Sequence, residues 1–78
     1  MTDFVIYTRN KPFCPFCRDL KKLLESKGID FVEYDLDDEG IREFFSERGH
    51  RTVPQVYYKG KSLGGLNSTF EFLNNGKL

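Results

Sequence analysis

The sequence predicts an α/β fold, a four-stranded mixed sheet flanked by three helices in the order β-α-β-α-β-β-α. Three observations carry the prediction. Phe4-Val5-Ile6-Tyr7 is a run of four bulky residues followed by a segment of helical period. A second stretch rich in β-branched and aromatic residues, Ile29 to Leu36, is again followed by a helical pattern. After Arg51 the period shortens, and two short strands flank Lys59-Gly60. Strand–helix–strand order with short links implies parallel strands joined by a right-handed crossover, whereas the last two strands form a hairpin.

The first strand, within Asp3 to Thr8, reads as buried on both faces because its apolar residues are consecutive rather than alternating. A polar stretch with Pro12 follows. From Pro15 onward Leu20, Leu23 and Leu24 share one helical face, while Arg18, Asp19, Lys21, Lys22 and Glu25 lie elsewhere. Proline suits the first helical turn, where its missing N–H costs nothing, and Gly28 is the expected C-terminal cap. Asp37 or Asp38 should cap the second helix, with Ile41, Phe44 and Phe45 on its buried side and Gly49 beyond its end. Pro54 to Tyr58 and Lys61 to Gly64 form the hairpin strands. The third helix carries two start signals, Asn67 and the box Ser68-Thr69-Phe70-Glu71. Phe70 and Leu73 should face the sheet, and Gly76 should end the helix.

The 78 residues are expected to form a single domain over 1–78. A domain this small buries only about 60% of the surface its unfolded chain exposes, so bulky residues matter to its core. Eight Phe and four Tyr supply them. Twelve basic and twelve acidic side chains cancel, which argues against a general nucleic-acid binder and against attraction to anionic membranes. Met1 to Thr8 shows neither the basic n-region nor the long apolar h-region of a secretory signal. No run approaches the roughly 18 apolar residues of a membrane helix. The expected compartment is the cytoplasm, where a purely structural disulfide is rare.

Cys14-Pro15-Phe16-Cys17 lies where the first strand meets the first helix. A cysteine at a helix N-terminus faces unpaired backbone N–H groups and the positive end of the macrodipole, and both favour thiolate over thiol. Such sites lower a cysteine pKa from about 8.5 into the range of roughly 3.5 to 7.5. Cys14, as N-cap, is the expected nucleophile. Cys17, one turn inside, is less exposed and is placed to attack the resulting mixed disulfide. Half of a zinc site is the competing reading, yet structural zinc takes four ligands, and the chain has two Cys and one His, His50. No metal is expected.

Lys11-Pro12-Phe13-Cys14-Pro15-Phe16-Cys17 after the Tyr7-Thr8 strand end resembles the active site of dithiol glutaredoxins. The resemblance extends over nearly the whole chain through two further motifs, Arg51-Thr52-Val53-Pro54 and Gly64-Gly65. It implies the thioredoxin fold and a glutathione-dependent thiol–disulfide oxidoreductase acting on protein disulfides and glutathione mixed disulfides. Glutathione would be a co-substrate rather than a permanently bound cofactor. The resemblance further implies a cis peptide bond before Pro54, with Val53 presenting its backbone to an extended thiol substrate. The corner Gly65-Leu66-Asn67 would take the γ-glutamyl carboxylate of glutathione, beside a helix N-terminus suited to anions. Lys11, with Arg51 and Gln55, would meet the glycyl carboxylate; Thr52 and Phe16 complete the expected binding residues.

Two departures accompany the resemblance. Asn67 stands where the family commonly has Asp, which predicts weaker pairing with the substrate's ammonium group. Arg9-Asn10 lengthen the loop before Lys11 relative to many members. Phe13 and Phe16 flank the cysteines as candidate groove residues, though Phe16 could equally face the core, and His50 reads as a loop residue.

Two alternatives stay open at this point. One is a glutaredoxin-like redoxin served by thioredoxin reductase and feeding ribonucleotide reductase, which Lys11-Pro12 and Asn67 suit. The other is an iron–sulfur or metal carrier, against which Pro15 and the second cysteine count. Disulfide-containing proteins, with ribonucleotide reductase one candidate, are the expected partners of a monomer.

Overall fold

The computed structural model describes residues 2–75. Its elements are β1 (Phe4–Thr8), α1 (Pro15–Ser26), β2 (Phe31–Asp35), α2 (Glu39–Glu47), β3 (Gln55–Tyr58), β4 (Lys61–Gly64) and α3 (Leu66–Asn74). The sheet order is β2-β1-β3-β4. β1 is parallel to β2 and antiparallel to β3, and β3 is antiparallel to β4. The predicted architecture is the one observed.

β1 sits between two neighbours, so its side chains divide between two cores. Phe4 and Ile6 join Leu20 and Leu24 of α1, Val56 of β3 and Leu73 of α3. Tyr7 points the other way and packs with Leu36 and Phe45, flanked by Val5, Ile41, Val53 and Tyr57. Burial in this aromatic second core raises the Tyr7 pKa above its ordinary 10.0, and the neighbouring Tyr34 and Tyr57 push it further up.

β2 is shorter than Ile29 to Leu36. The Ile29 N–H still donates to the Leu24 carbonyl at 3.0 Å, so the chain is leaving α1 at that residue. At the other end the Leu36 N–H donates to Thr8, and Asp35 then turns the chain through bonds from the Asp37 and Asp38 amides. Asp38 caps α2, its carboxylate accepting from the Ile41 N–H at 3.1 Å. Phe45 and Ile41 face inward, but Phe44 is 41% exposed, stacked on the rim of the Tyr7 ring and beneath Arg48. One helix on a half-covered sheet face cannot bury three bulky residues in a row of turns.

Lys59 and Gly60 both take positive φ, 51° and 80°, the turn chemistry that matches the twist of a two-residue hairpin. Pairing then skips Leu63, since Val56 opposes Gly64 while Tyr57 opposes Ser62. The bulge turns Leu63 towards the α1–α3 core.

α3 corrects the sequence reading most. It starts at Leu66 with Gly65 as its N-cap and no side-chain capping bond. Asn67 and Ser68 are therefore the second and third helical residues, and neither caps the helix. The earlier start rotates the buried face to Thr69 and Leu73, with Leu66 and Phe72 partly buried. Phe70 is left 47% exposed, whereas Thr69 is wholly buried with its hydroxyl unpartnered among the described residues. Gly76, the expected terminator, lies outside the described residues.

The structure predicts opposite outcomes for two apolar truncations. Leu24→Ala should lower the free energy of unfolding by about 2–5 kcal/mol through cavity formation, whereas Phe70→Ser should change it by less than about 0.5 kcal/mol. Urea unfolding followed by circular dichroism measures both.

Candidate active site

The first core holds β1 in place, and β1 delivers the chain to the start of α1. Thr8, the last residue of the strand, is fully buried, and its hydroxyl donates to Glu33 at 2.5 Å. Glu33 also pairs with Lys21 of α1 at 3.0 Å, which ties strand end and helix together. Asn10 is anchored as well, its amide donating to Asp35 at 2.8 Å.

Cys14 is the N-cap of α1. Its backbone is extended (φ −117°, ψ 102°), Pro15 follows in the first turn, and its carbonyl accepts the Arg18 N–H at 3.1 Å. The sulfur itself accepts the Cys17 N–H at 3.2 Å, so one of the orphan donors of the helix end points at the candidate nucleophile. Cys14 and Cys17 are joined as a disulfide, with Cα atoms 5.2 Å apart. Both are buried: Cys17 is 2% exposed and Cys14 only 6%. The expected difference in exposure is thus small in this oxidised state.

Phe16, between the two cysteines in the chain, lines a cleft of about 240 Å³ together with Thr52, Val53, Pro54, Gly65, Leu66, Asn67 and Ser68. Residues from α1, from the loop before β3 and from the start of α3 meet here. The Val53–Pro54 bond is cis, as is Lys11–Pro12. Pro54 precedes β3 rather than opening it, since the strand begins at Gln55. The volume falls below the roughly 300–1,000 Å³ of pockets that take drug-sized ligands, so the cleft has room for only part of such a ligand.

Phe16 stands 62% exposed on the cleft wall, and Phe13 is 61% exposed with Arg18 over its ring. The core alternative for Phe16 is therefore not what the chain adopts. Lys11, Arg51 and Gln55 do not line the cleft. Lys11 and Arg51 are exposed, and Gln55 spends its amide on the carbonyl and hydroxyl of Thr52, at 3.0 and 3.2 Å. That bond braces the cleft wall from outside. His50 bonds to the Tyr57 hydroxyl at 2.6 Å and packs on Phe45, so it belongs to the second core. Ser68 is the lining residue that sequence reasoning missed, because the capping-box pattern assigned it elsewhere; its proximity to Gly64-Gly65 was the available signal.

Gly64 makes the corner possible. Its φ is +99°, and a Cβ there would stand 3.1 Å from Ser68 Oγ. A Cβ at Gly65 would meet the Pro54 carbonyl oxygen at 3.4 Å. Among the described residues no group of three or more His, Cys, Asp or Glu is arranged to hold a metal ion, and no helix is long and apolar enough to cross a membrane.

The glutaredoxin family profile matches residues 4–63, from β1 into β4 and across the whole cysteine motif. The chain belongs to the glutaredoxin family. Glutaredoxin-C6 of Oryza sativa subsp. japonica is 40% identical over 79 residues, an alignment covering 95% of this chain and 69% of the relative. Glutaredoxin 3 of Escherichia coli strain K12 is 34% identical over 80 residues, covering 100% of this chain and 94% of the relative. Among solved structures, that of a buckwheat glutaredoxin–glutathione complex is similar with a TM-score of 0.79 and 31% identity, over 97% of this chain and 72% of that one. A glutaredoxin with this cysteine pair has thiol–disulfide exchange as its chemistry.

Gly64→Ala tests the corner. Forcing a side chain into positive φ should cost about 1–3 kcal/mol of stability, and displacement of Ser68 should raise KM for a disulfide substrate that occupies the cleft more than it lowers kcat. Thermal unfolding and steady-state kinetics on the same protein check the two effects.

Proposed function

We propose that this glutaredoxin is of the dithiol type and depends on glutathione, reducing protein disulfides and glutathione mixed disulfides in the cytoplasm. The observation that carries the reading is the single cleft in which Phe16, from the cysteine motif, meets Thr52-Val53-Pro54 and Gly65-Leu66-Asn67. Three segments distant in sequence converge there, one of them the cysteine motif itself, and a glutathione complex of a structural relative supports the choice of ligand.

The chemistry follows from the helix end. Reduced Cys14 keeps the Cys17 N–H and the N-terminal dipole beside its sulfur, which favours the thiolate. The thiolate attacks the glutathionyl sulfur of a mixed disulfide; a Cys14–glutathione disulfide forms and the protein thiolate leaves and takes up a proton. A second glutathione thiolate then attacks that bond, releasing oxidised glutathione and regenerating Cys14. With a protein disulfide, Cys14 forms the mixed disulfide and Cys17 resolves it. Two electrons pass to the substrate, which leaves as a dithiol, and the Cys14–Cys17 disulfide remains for two glutathione molecules to reduce. Gly65 and Asn67, at the α3 N-terminus, would hold the γ-glutamyl carboxylate. Lys11 and Arg51, outside the cleft lining, would reach the glycyl carboxylate only from its open side.

Glutathione-coupled turnover of a small glutathione mixed disulfide is the direct test. Wild type should be active, Cys14→Ser inactive, and Cys17→Ser active on the mixed disulfide but not on protein disulfides. Turnover supported by thioredoxin reductase and not by glutathione would overturn the assigned electron donor.

Asn67→Asp should lower KM for glutathione about two- to five-fold with kcat unchanged, the size of a part-exposed charge pair worth about 0.5–1 kcal/mol. Initial-rate kinetics against glutathione concentration read this out.

A further inference from the structure

The two faces of the sheet are unequally covered. α1 and α3 share one face, while α2 alone lies on the other and packs on β2 at the sheet edge. Four strands spaced about 4.8 Å apart make a face wider than one helix of about 10 Å diameter. On the α2 side a strip over β1 and β3 is therefore only partly covered, with Val5 and Tyr57 half-buried and Tyr7 between them buried beneath Phe45. Its outward residues are Val5, Tyr7 and Tyr57, since Val5 opposes Tyr57 across the β1–β3 ladder.

This strip is a cleft of about 190 Å³, lined by Val5, Tyr7, Phe44, Arg48, Tyr57 and Gly60. Three aromatic rings form its walls. Tyr7 meets Phe44 at 6.2 Å between centroids, stacked, and Tyr57 at 5.9 Å, edge-on. Tyr57 is held by its bond to His50. Arg48 lies 4.7 Å above the Phe44 ring and makes no ion pair among the described residues. No carboxylate lines the cleft, so the one formal charge on its wall is positive. An apolar cavity of about 150 Å³ accepts a benzene ring, which makes this cleft sufficient for one ring with a small substituent.

We propose that this cleft is a second ligand site, separate from the cysteine cleft, for a small aromatic carboxylate. Its ring packs against Tyr7, Phe44 and Tyr57, and its carboxylate accepts a bidentate pair from the Arg48 guanidinium. Both halves of the ligand are required: the rings alone would take any apolar group, and an exposed arginine alone holds no anion firmly.

The test is titration of the oxidised 78-residue protein with sodium benzoate, followed by amide chemical shifts in two-dimensional NMR. Saturable shifts are expected at Val5, Tyr7, Arg48, Tyr57 and Gly60, with those at Phe16, Val53 and Asn67 unmoved. Arg48→Ala should weaken binding by about tenfold or more, the loss of one charge-assisted pair. Cyclohexanecarboxylate, with the charge but no aromatic plane, and benzyl alcohol, with the ring but no charge, should each bind markedly more weakly than benzoate. Arg48 is exposed, so Arg48→Ala should keep its fold, checked by its amide spectrum, and its glutathione-coupled turnover. Arg48→Lys should bind with intermediate strength. Absence of saturable shifts, equal binding by Arg48→Ala, equal binding of the two control compounds, or shifts centred on the cysteine cleft would each overturn the proposal.

Discussion

β1 is the element on which the remainder of the molecule depends. It is hydrogen-bonded on both edges and sends Phe4 and Ile6 to one core and Tyr7 to the other. A five-residue strand so enclosed has one register open to it, because a slip by one residue would exchange the Phe4–Ile6 face with the Val5–Tyr7 face. Its end at Thr8 then determines where the chain emerges, and the bonds Thr8–Glu33, Lys21–Glu33 and Asn10–Asp35 hold the exit. Cys14 arrives at a helix start whose free N–H groups have nowhere else to point.

Coverage by helices distributes the functions over the surface. The face packed by α1 and α3 is closed, and the cysteine cleft forms at its end, where the start of α3 meets the loop before β3. The face packed by α2 stays half open and exposes an aromatic wall. Both clefts follow from the count of helices per face. The residues that line them decide the chemistry: small glycines, a backbone corner and an asparagine in one, tyrosines and an arginine in the other.

Much of the fold was legible because its signals are local. Consecutive bulky residues marked β1, proline and glycine bracketed α1, Asp37 or Asp38 marked the start of α2 and the structure selects Asp38, and Lys59-Gly60 marked the hairpin. Legibility failed where two local signals competed. Asn67 and the Ser68–Glu71 box both advertise a helix start, yet the chain enters α3 already at Leu66, because Gly64 at positive φ completes the turn and Gly65 can serve as N-cap. Phe44 and Phe70 were read as buried from hydrophobicity, but each faces away once the helix phase and the area of sheet beneath it are set.

By itself the sequence determined the order of elements, the identity of the cysteine pair and the position of Cys14 at a helix N-terminus, all of which rest on contacts between near neighbours. Only the tertiary structure decided which distant residues share a cleft. Ser68 joins Phe16 and Pro54, whereas Lys11, Arg51 and Gln55 stay off the cleft wall. It also decided that His50 belongs to an aromatic core and that Thr69, not Phe70, is buried. Those outcomes depend on helix phase and on the packing of one layer against another, and both are set by the whole chain at once.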